Sequence, residues 1–402
     1  MAQDPAASAP PQLWPQRPQS VRAPLPPQER HHSMASGRRL RLGILGAARN
    51  VPFSVIEPVR ANEDLSARLE ILGLASLDQA EAERCAKEWG ITKAYGSYEE
   101  LLADPAIEAV YNVLPTAVRC QWSVRALKAG KHVLSETPMS SNAREAVVVQ
   151  RAAEDYGRVL LEGTHPTCHP VTKRVREMLL DGKIGSLERI DLDLPVGHSL
   201  QGKTVCSKTG ALMGLGCHGV AIVRALAGAE PRVVSASAKM SKEAPEVDSK
   251  MSCDLVLPNG VAAHVDCSVE SSGSKEPTTF MISGSNGTIR VKEWFTGKGR
   301  SSNEIALETF EGSGERLVER VDNSVNRDTF YFQLMTFVDE VLAQESVNAA
   351  GMPWEYTKSK GPADAVRNMA LIDAIYRAAS MVPRPTTALP PEPYNRIGIS
   401  KL

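Results

Sequence analysis

Leu40-Arg41-Leu42-Gly43-Ile44-Leu45-Gly46-Ala47-Ala48-Arg49 reads as a short apolar strand running into a turn of small residues. Leucine and isoleucine packed this densely suit a strand covered on both faces. A turn of glycine and alanine lets the backbone approach an anionic ligand, and the next helix offers its first N–H groups to it. The fingerprint is imperfect, because Ala48 stands where the second glycine of such turns belongs. Taken alone, the motif fits a tightly packed strand-to-helix turn as well as a diphosphate cradle.

The surroundings favour the cradle. Residues 69–76, 109–114, 131–135 and 158–162 are further short apolar runs, and helix-patterned segments at 79–89, 98–103, 117–129 and 142–156 lie between them. Such alternation predicts right-handed βαβ crossovers and a doubly wound parallel sheet, the Rossmann arrangement. In such sheets the end of the second strand meets the adenosine ribose. Here it reads Ala75-Ser76-Leu77-Asp78. Ser76 suits a 2′-phosphate, and Arg49 is placed to reach it from the first turn, which tips the expected cofactor slightly to NADP over NAD. Asp78 is expected to cap the helix that starts near Gln79.

The second half is patterned differently. Residues 187–196, 232–240, 250–257, 261–269, 278–283 and 288–295 read as strands. Pro258-Asn259-Gly260 and Ser285-Asn286-Gly287 read as hairpin turns, expected to use positive φ at Asn and Gly. Val261, Ala263, Val265, Cys267 and Val269 alternate with polar neighbours, so one sheet face is packed and the other wet. An open, mainly antiparallel sheet with helices on one side follows, closed by a packing helix at 363–379. His264 and Asp266 look like a catalytic pair but fall on the outer face. The expected organisation is a disordered extension at 1–38, a dinucleotide-binding domain at 39–163, an α+β domain at 164–382 and a loose tail at 383–402.

Composition sets the outer limits. The chain of 402 residues carries a net charge of −1, which leaves no electrostatic footprint for nucleic acid or a membrane surface. Seven cysteines without CxxC spacing argue for free thiols and a reducing compartment. No apolar run approaches the ~20 residues a bilayer requires. A cytoplasmic location is expected. The Arg-containing, lysine-free stretch before Arg39 loosely suggests an organelle address without the amphipathic helix such addresses use. His165 and His169 are four apart, but Pro166 and Pro170 break any helix that would bring them together on a metal, and none is expected.

Several segments together carry a resemblance: Gly46-Ala47-Ala48-Arg49, Tyr95 to Leu102, Val110-Tyr-Asn-Val-Leu-Pro-Thr116, Lys131-His-Val-Leu-Ser-Glu-Thr-Pro138 and Glu162-Gly-Thr-His165-Pro-Thr-Cys-His169-Pro170. Over residues 40–380 the chain resembles the Gfo/Idh/MocA oxidoreductases, most closely their sugar and dihydrodiol dehydrogenase branch. The resemblance implies an NAD(P)-dependent oxidoreductase acting on a sugar, polyol or dihydrodiol-like hydroxyl. It implies cofactor contacts from Gly43, Gly46, Ala47, Ala48, Arg49 and Ser76, with Asn112, Pro115, Thr116 and Glu136 toward the nicotinamide end. It also implies a homodimer paired through the outer face of the second sheet.

The departures cluster at the reacting centre. Relatives carry Glu-Lys-Pro where this chain has Glu136-Thr137-Pro138, and a neutral hydroxyl supplies no cation near neutral pH. They place an aspartate at Gly214, four residues before His218, and histidine at Arg119, expected here to be a solvated helix charge. Hydride transfer from an alcohol needs a group to take the hydroxyl proton. His218, His165 and Thr137 are the expected catalytic set, with Lys203 and Lys208 as replacement cations. The alternative is a non-catalytic descendant that binds dinucleotide or sugar.

Overall fold

The computed structural model describes residues 38–195, 209–270, 278–296, 303–310, 316–320, 327–349, 361–388 and 391–394. Two sheets organise them. The first is built from β1 (Leu40–Leu45), β2 (Leu69–Ala75), β3 (Lys93–Tyr95), β4 (Ala109–Asn112), β5 (His132–Ser135) and β6 (Leu160–Glu162). All neighbours are parallel and the order is β3-β2-β1-β4-β5-β6. That is the Rossmann order, whose reversal between β1 and β4 opens a crevice beyond the strands' carboxyl ends.

Local chemistry starts the helices between those strands. A π-helical turn, Pro52–Ile56, leads directly into α1 (Glu57–Ala61). Asp78 caps α2 (Gln79–Glu88) through Ala80 N, Ser97 caps α3 (Tyr98–Ala103), and Asn142 caps α5 (Ala143–Asp155). Between the last two, α4 (Thr116–Lys128) begins after Pro115 without any side-chain cap.

The second sheet comprises β7 (Leu187–Pro195), β8 (Arg232–Met240), β9 (Asp248–Val256), β10 (Ala262–Ser268), β11 (Thr279–Gly284), β12 (Gly287–Lys292), β13 (Glu304–Thr309) and β14 (Arg316–Arg320). Its order is β14-β13-β12-β11-β7-β10-β9-β8, antiparallel except for the parallel pair β7–β10. Ala263, Val265 and Cys267 are buried, while His264 and Asp266 lie on the opposite face. His264 pairs with Asp254 across the strands at 2.8 Å, and Asp266 with Lys250 at 3.1 Å. The two do not form a dyad.

The hairpin turns lie where expected, but their geometry differs. Gly260 takes φ +86°, whereas Asn259 and Asn286 keep negative φ. The Ser285-Asn286 turn instead ties to the chain before β7: Ser285 N donates to Ser186 O and Asn286 N to Ile184 O, each at 2.9 Å.

Four helices complete the packing: α6 (Pro170–Leu180), α7 (Cys217–Ala227), α8 (Thr329–Ala349) and α9 (Pro362–Ala378). α6, α7 and α9 share one apolar core with the inner face of the second sheet and with α4 and α5. α8 crosses to the first sheet instead. Its Tyr331, Leu334, Phe337, Val338 and Val341 pack with Leu40, Leu42, Ile44, Val55 and Leu65. The described residues after 382, expected as a loose tail, are pinned to both halves. Arg384 donates to Glu246 O and lies 3.4 Å from Asp248 Oδ1, while Asn142 donates to Arg384 O, Thr387 to Ala117 O and Tyr394 to Asp155.

Candidate active site

The crevice begins at the first turn. Gly46 adopts φ +103°, and a Cβ there would meet Leu114 Cδ2 at 3.0 Å, so the position admits only glycine without strain. The helical segment that follows has no side-chain cap and no acid in its first turn. Pro52 has no N–H, and Val51 N and Ser54 N donate within the turn to Ala48 O (3.1 Å) and Asn50 O (2.9 Å), so a diphosphate would meet few free donors here. Ala47 and Ala48 pack against the core beneath, and Arg49 is exposed at the tip. Gly43 has a different use: it lies mid-strand, where a Cβ would meet Leu101 at 2.8 Å and Ile107 at 3.1 Å. It lets helix α3 close onto the sheet and does not line the crevice.

Loops after β4 and β5 form the next wall. Asn112, fully buried, donates to Arg119 O and Ser123 Oγ and accepts from Leu114 N. Its amide shapes the loop, with both of its N–H hydrogens taken. Pro115 and Thr116 stand at the uncapped start of α4, whose positive dipole end therefore opens on the crevice. Arg119 is no solvated charge. It is buried, and its guanidinium donates to the carbonyls of Leu114 (3.0 Å), Glu136 (3.2 Å) and Pro138. Burial pulls its pKa down from the ordinary arginine value. It clamps together the two loops that carry the candidate site residues.

Glu136 links those loops to the first turn. One carboxylate oxygen accepts from Asn50 Nδ2 at 2.7 Å and from the Tyr111 hydroxyl, and the other from Thr137 N at 3.1 Å. Burial, then the charge of Glu136, holds the Tyr111 phenol well above its ordinary range. Across β5, Glu162 is buried, accepts from Met139 N at 2.8 Å, and has its pKa pushed up to about 7 by burial.

The three residues expected to carry catalysis fall into one cluster. Thr137 Oγ1 lies 3.0 Å from His218 Nε2. The imidazoles of His218 and His165 are 4.8 Å apart, and Phe295 stands edge-on to both. His165 stacks on Phe330 at 4.2 Å and pairs through Nδ1 with Thr329 Oγ1 at 2.7 Å. The Thr329 hydroxyl also sits within reach of the Phe295 and Thr296 carbonyls. The Thr329 hydroxyl has one proton, and where it goes to a carbonyl, Nδ1 of His165 carries the hydrogen between them. Burial lowers the His218 pKa to about 3, so its ring is neutral, and its Nδ1 is buried without a partner.

Other candidates lie elsewhere. His169 caps α6 through Val171 N and stands edge-on to Phe332, away from His165. No group of three or more His, Cys, Asp or Glu gathers for a metal among the described residues. Gly214 lies in a π-helical turn, Leu212–Gly216, just before His218. Lys203 and Lys208 fall outside the described residues. Sequence reasoning missed Asn50, Tyr111, Phe295, Thr329, Phe330 and the burial of Arg119. For Phe330 a signal existed: Phe330, Leu334, Phe337, Val338 and Val341 follow helical spacing. For Arg119 none did, since its partners are backbone carbonyls.

Comparison with known proteins places this geometry. Residues 40–164 match the oxidoreductase family with an NAD-binding Rossmann fold, and residues 172–290 match the GFO/IDH/MocA C-terminal domain. D-xylose 1-dehydrogenase (NADP(+)) 2 of Haloferax volcanii is 29% identical over 85% of this chain and 97% of its own. Trans-1,2-dihydrobenzene-1,2-diol dehydrogenase of Mus musculus is 31% identical over 57% of this chain and 68% of its own. A 3-ketoreductase from Actinomadura kijaniata shares the fold at a TM-score of 0.72 and 22% identity, covering 86% of this chain and 99% of that one. No helix among the described residues is long and apolar enough to cross a membrane. These two matches, which together span more than half of the chain, make it a member of the Gfo/Idh/MocA oxidoreductase family.

Proposed function

We propose that this chain is an NAD(P)-dependent oxidoreductase whose substrate is a sugar, polyol or dihydrodiol-like hydroxyl, or the matching carbonyl. The 3.0 Å contact between Thr137 Oγ1 and His218 Nε2, at the carboxyl end of β5, carries the reading. Relatives named as xylose and dihydrodiol dehydrogenases support the substrate class. A bound nicotinamide supplies the hydride acceptor or donor. The remaining work falls to this chain: the first turn binds the diphosphate, Arg119 and Glu136 hold the loops in register, and phenylalanines 295 and 330 exclude water. In oxidation the substrate hydroxyl gives its proton to Thr137 Oγ1, which passes its own to neutral His218 Nε2. His165, its Nδ1 hydrogen bonded to Thr329, supports the relay from one side. Thr137 thus takes a proton-conducting place where the resemblance puts a lysine. Two copies are proposed to pair through the outer face of the second sheet, which light scattering of the purified protein tests.

Purified protein is titrated with NADH and NADPH by fluorescence, then screened against aldoses, polyols and trans-diols at the nicotinamide absorbance. Turnover lost in His218→Ala and kept in His264→Ala supports the reading. Tight coenzyme binding with no turnover on any member of the panel assigns the non-catalytic role instead, the reading favoured by Thr137 and Gly214 standing where a cation and an acid are expected.

A further inference from the structure

The end of β2 carries an arrangement that bears on which dinucleotide binds, given the coenzyme site proposed above. Ser76, the first residue beyond the strand, is buried, and its N–H donates to Tyr95 O at 3.1 Å. Its hydroxyl donates to Glu81 Oε2 at 2.6 Å and accepts from Asp78 N at 3.4 Å. A serine has one hydroxyl proton, and here a carboxylate takes it. Glu81 is the third residue of α2, and its own N–H lies 3.4 Å from Asp78 Oδ1. Two acids therefore border Ser76. Its neighbour Leu77 is 72% exposed and brings no cation. Arg49 belongs to the first turn, after the adjoining strand.

In a Rossmann sheet the adenosine ribose sits at this strand end, where a carboxylate accepts from the sugar hydroxyls. A 2′-phosphate carries between one and two negative charges near neutral pH and would lie against that carboxylate. We propose that Glu81, held in place by Ser76, is the coenzyme-selecting residue: it accepts the ribose hydroxyls of NAD(H) and repels the 2′-phosphate of NADP(H). The slight preference for NADP that Ser76 suggests in the sequence is thereby reversed, and the chain departs from its Haloferax relative, whose name specifies NADP(+).

The test is coenzyme affinity on the full chain, read by fluorescence quenching with NADH and NADPH as probes. Wild type is expected to bind NADH at least ~10-fold more tightly, the effect of one unscreened like-charge contact. Glu81→Gln keeps a partner for Ser76 and removes the charge, so it should narrow the ratio, chiefly by tightening NADPH. Adding Leu77→Arg should invert it. A wild type that prefers NADPH, or a Glu81→Gln protein of unchanged melting temperature and unchanged ratio, overturns the assignment of Glu81 and leaves the redox reading standing. Failure of both coenzymes to bind overturns the two together.

Discussion

Replacing His218 by glutamine should make the protein less sensitive to acid, and the size of the effect follows from where the imidazole sits. The ring is 4% exposed, and burial lowers its pKa from 6.5 to about 3. Unfolded, the same histidine titrates at its ordinary value. Above pH 6.5 neither state holds the proton and His218 costs nothing. Below it the unfolded chain binds a proton that the native state refuses, so stability is lost as pH falls from 6.5 toward 3. At pH 5.0 the gap of ~1.5 units corresponds to ~2 kcal/mol. His132 and His169, each lowered to about 4 by burial, act in the same direction. Glu162, raised to about 7, acts in the opposite one. All three are present in both proteins and cancel in the comparison. Urea unfolding followed by tryptophan fluorescence at pH 7.5 and 5.0 should show wild type losing ~2 kcal/mol more than His218→Gln between the two conditions. Equal losses, or a larger loss in the variant, would mean that native His218 takes up protons like an exposed imidazole.

Three further outcomes probe the same region. Thr137→Val keeps the side-chain shape but removes the hydroxyl facing His218, so kcat should fall ~10²–10⁴-fold with KM little changed, and Thr137→Ser should restore most of it. Steady-state kinetics on the best substrate of the panel decides this. Gly46→Ala places a methyl 3.0 Å from Leu114 at φ +103°; a stability loss of ~1–3 kcal/mol in urea and weaker binding of both coenzymes are expected. Arg119→Met orphans the carbonyls of Leu114 and Pro138, at ~1–3 kcal/mol each, while Glu136 O keeps the Ser135 hydroxyl at 3.3 Å; a cost of at least ~2 kcal/mol is expected. Arg119→Lys should not rescue it, because one ammonium cannot span three acceptors that a planar guanidinium reaches; a urea midpoint near wild type for the lysine variant would refute the clamp.

Much of the architecture was legible along the chain, because its signals are local. Leu40–Leu45 and the small-residue bend after it depend on side-chain size and glycine's freedom at Gly46, and neighbouring residues suffice to express both. The same holds for the caps at Asp78 and Asn142, and for the alternation that buries Ala263, Val265 and Cys267. What stayed hidden depends on partners far away in sequence. β13 and β14 are short strands near one edge of the sheet, with too few apolar residues to stand out, and β7 pairs in parallel with β10 across an intervening stretch of chain. Arg119 looks like any surface arginine until folding surrounds it with carbonyls. Ser76 looks like a phosphate ligand until Glu81 takes its proton. His165 and His218 were visible as candidates, but their surroundings were not: one pairs with Thr329, and the neutrality of the other follows from burial beside Phe295. Residue type states which groups are able to titrate or donate, whereas desolvation and hydrogen-bond partners, which exist only after long-range packing, determine which of them do.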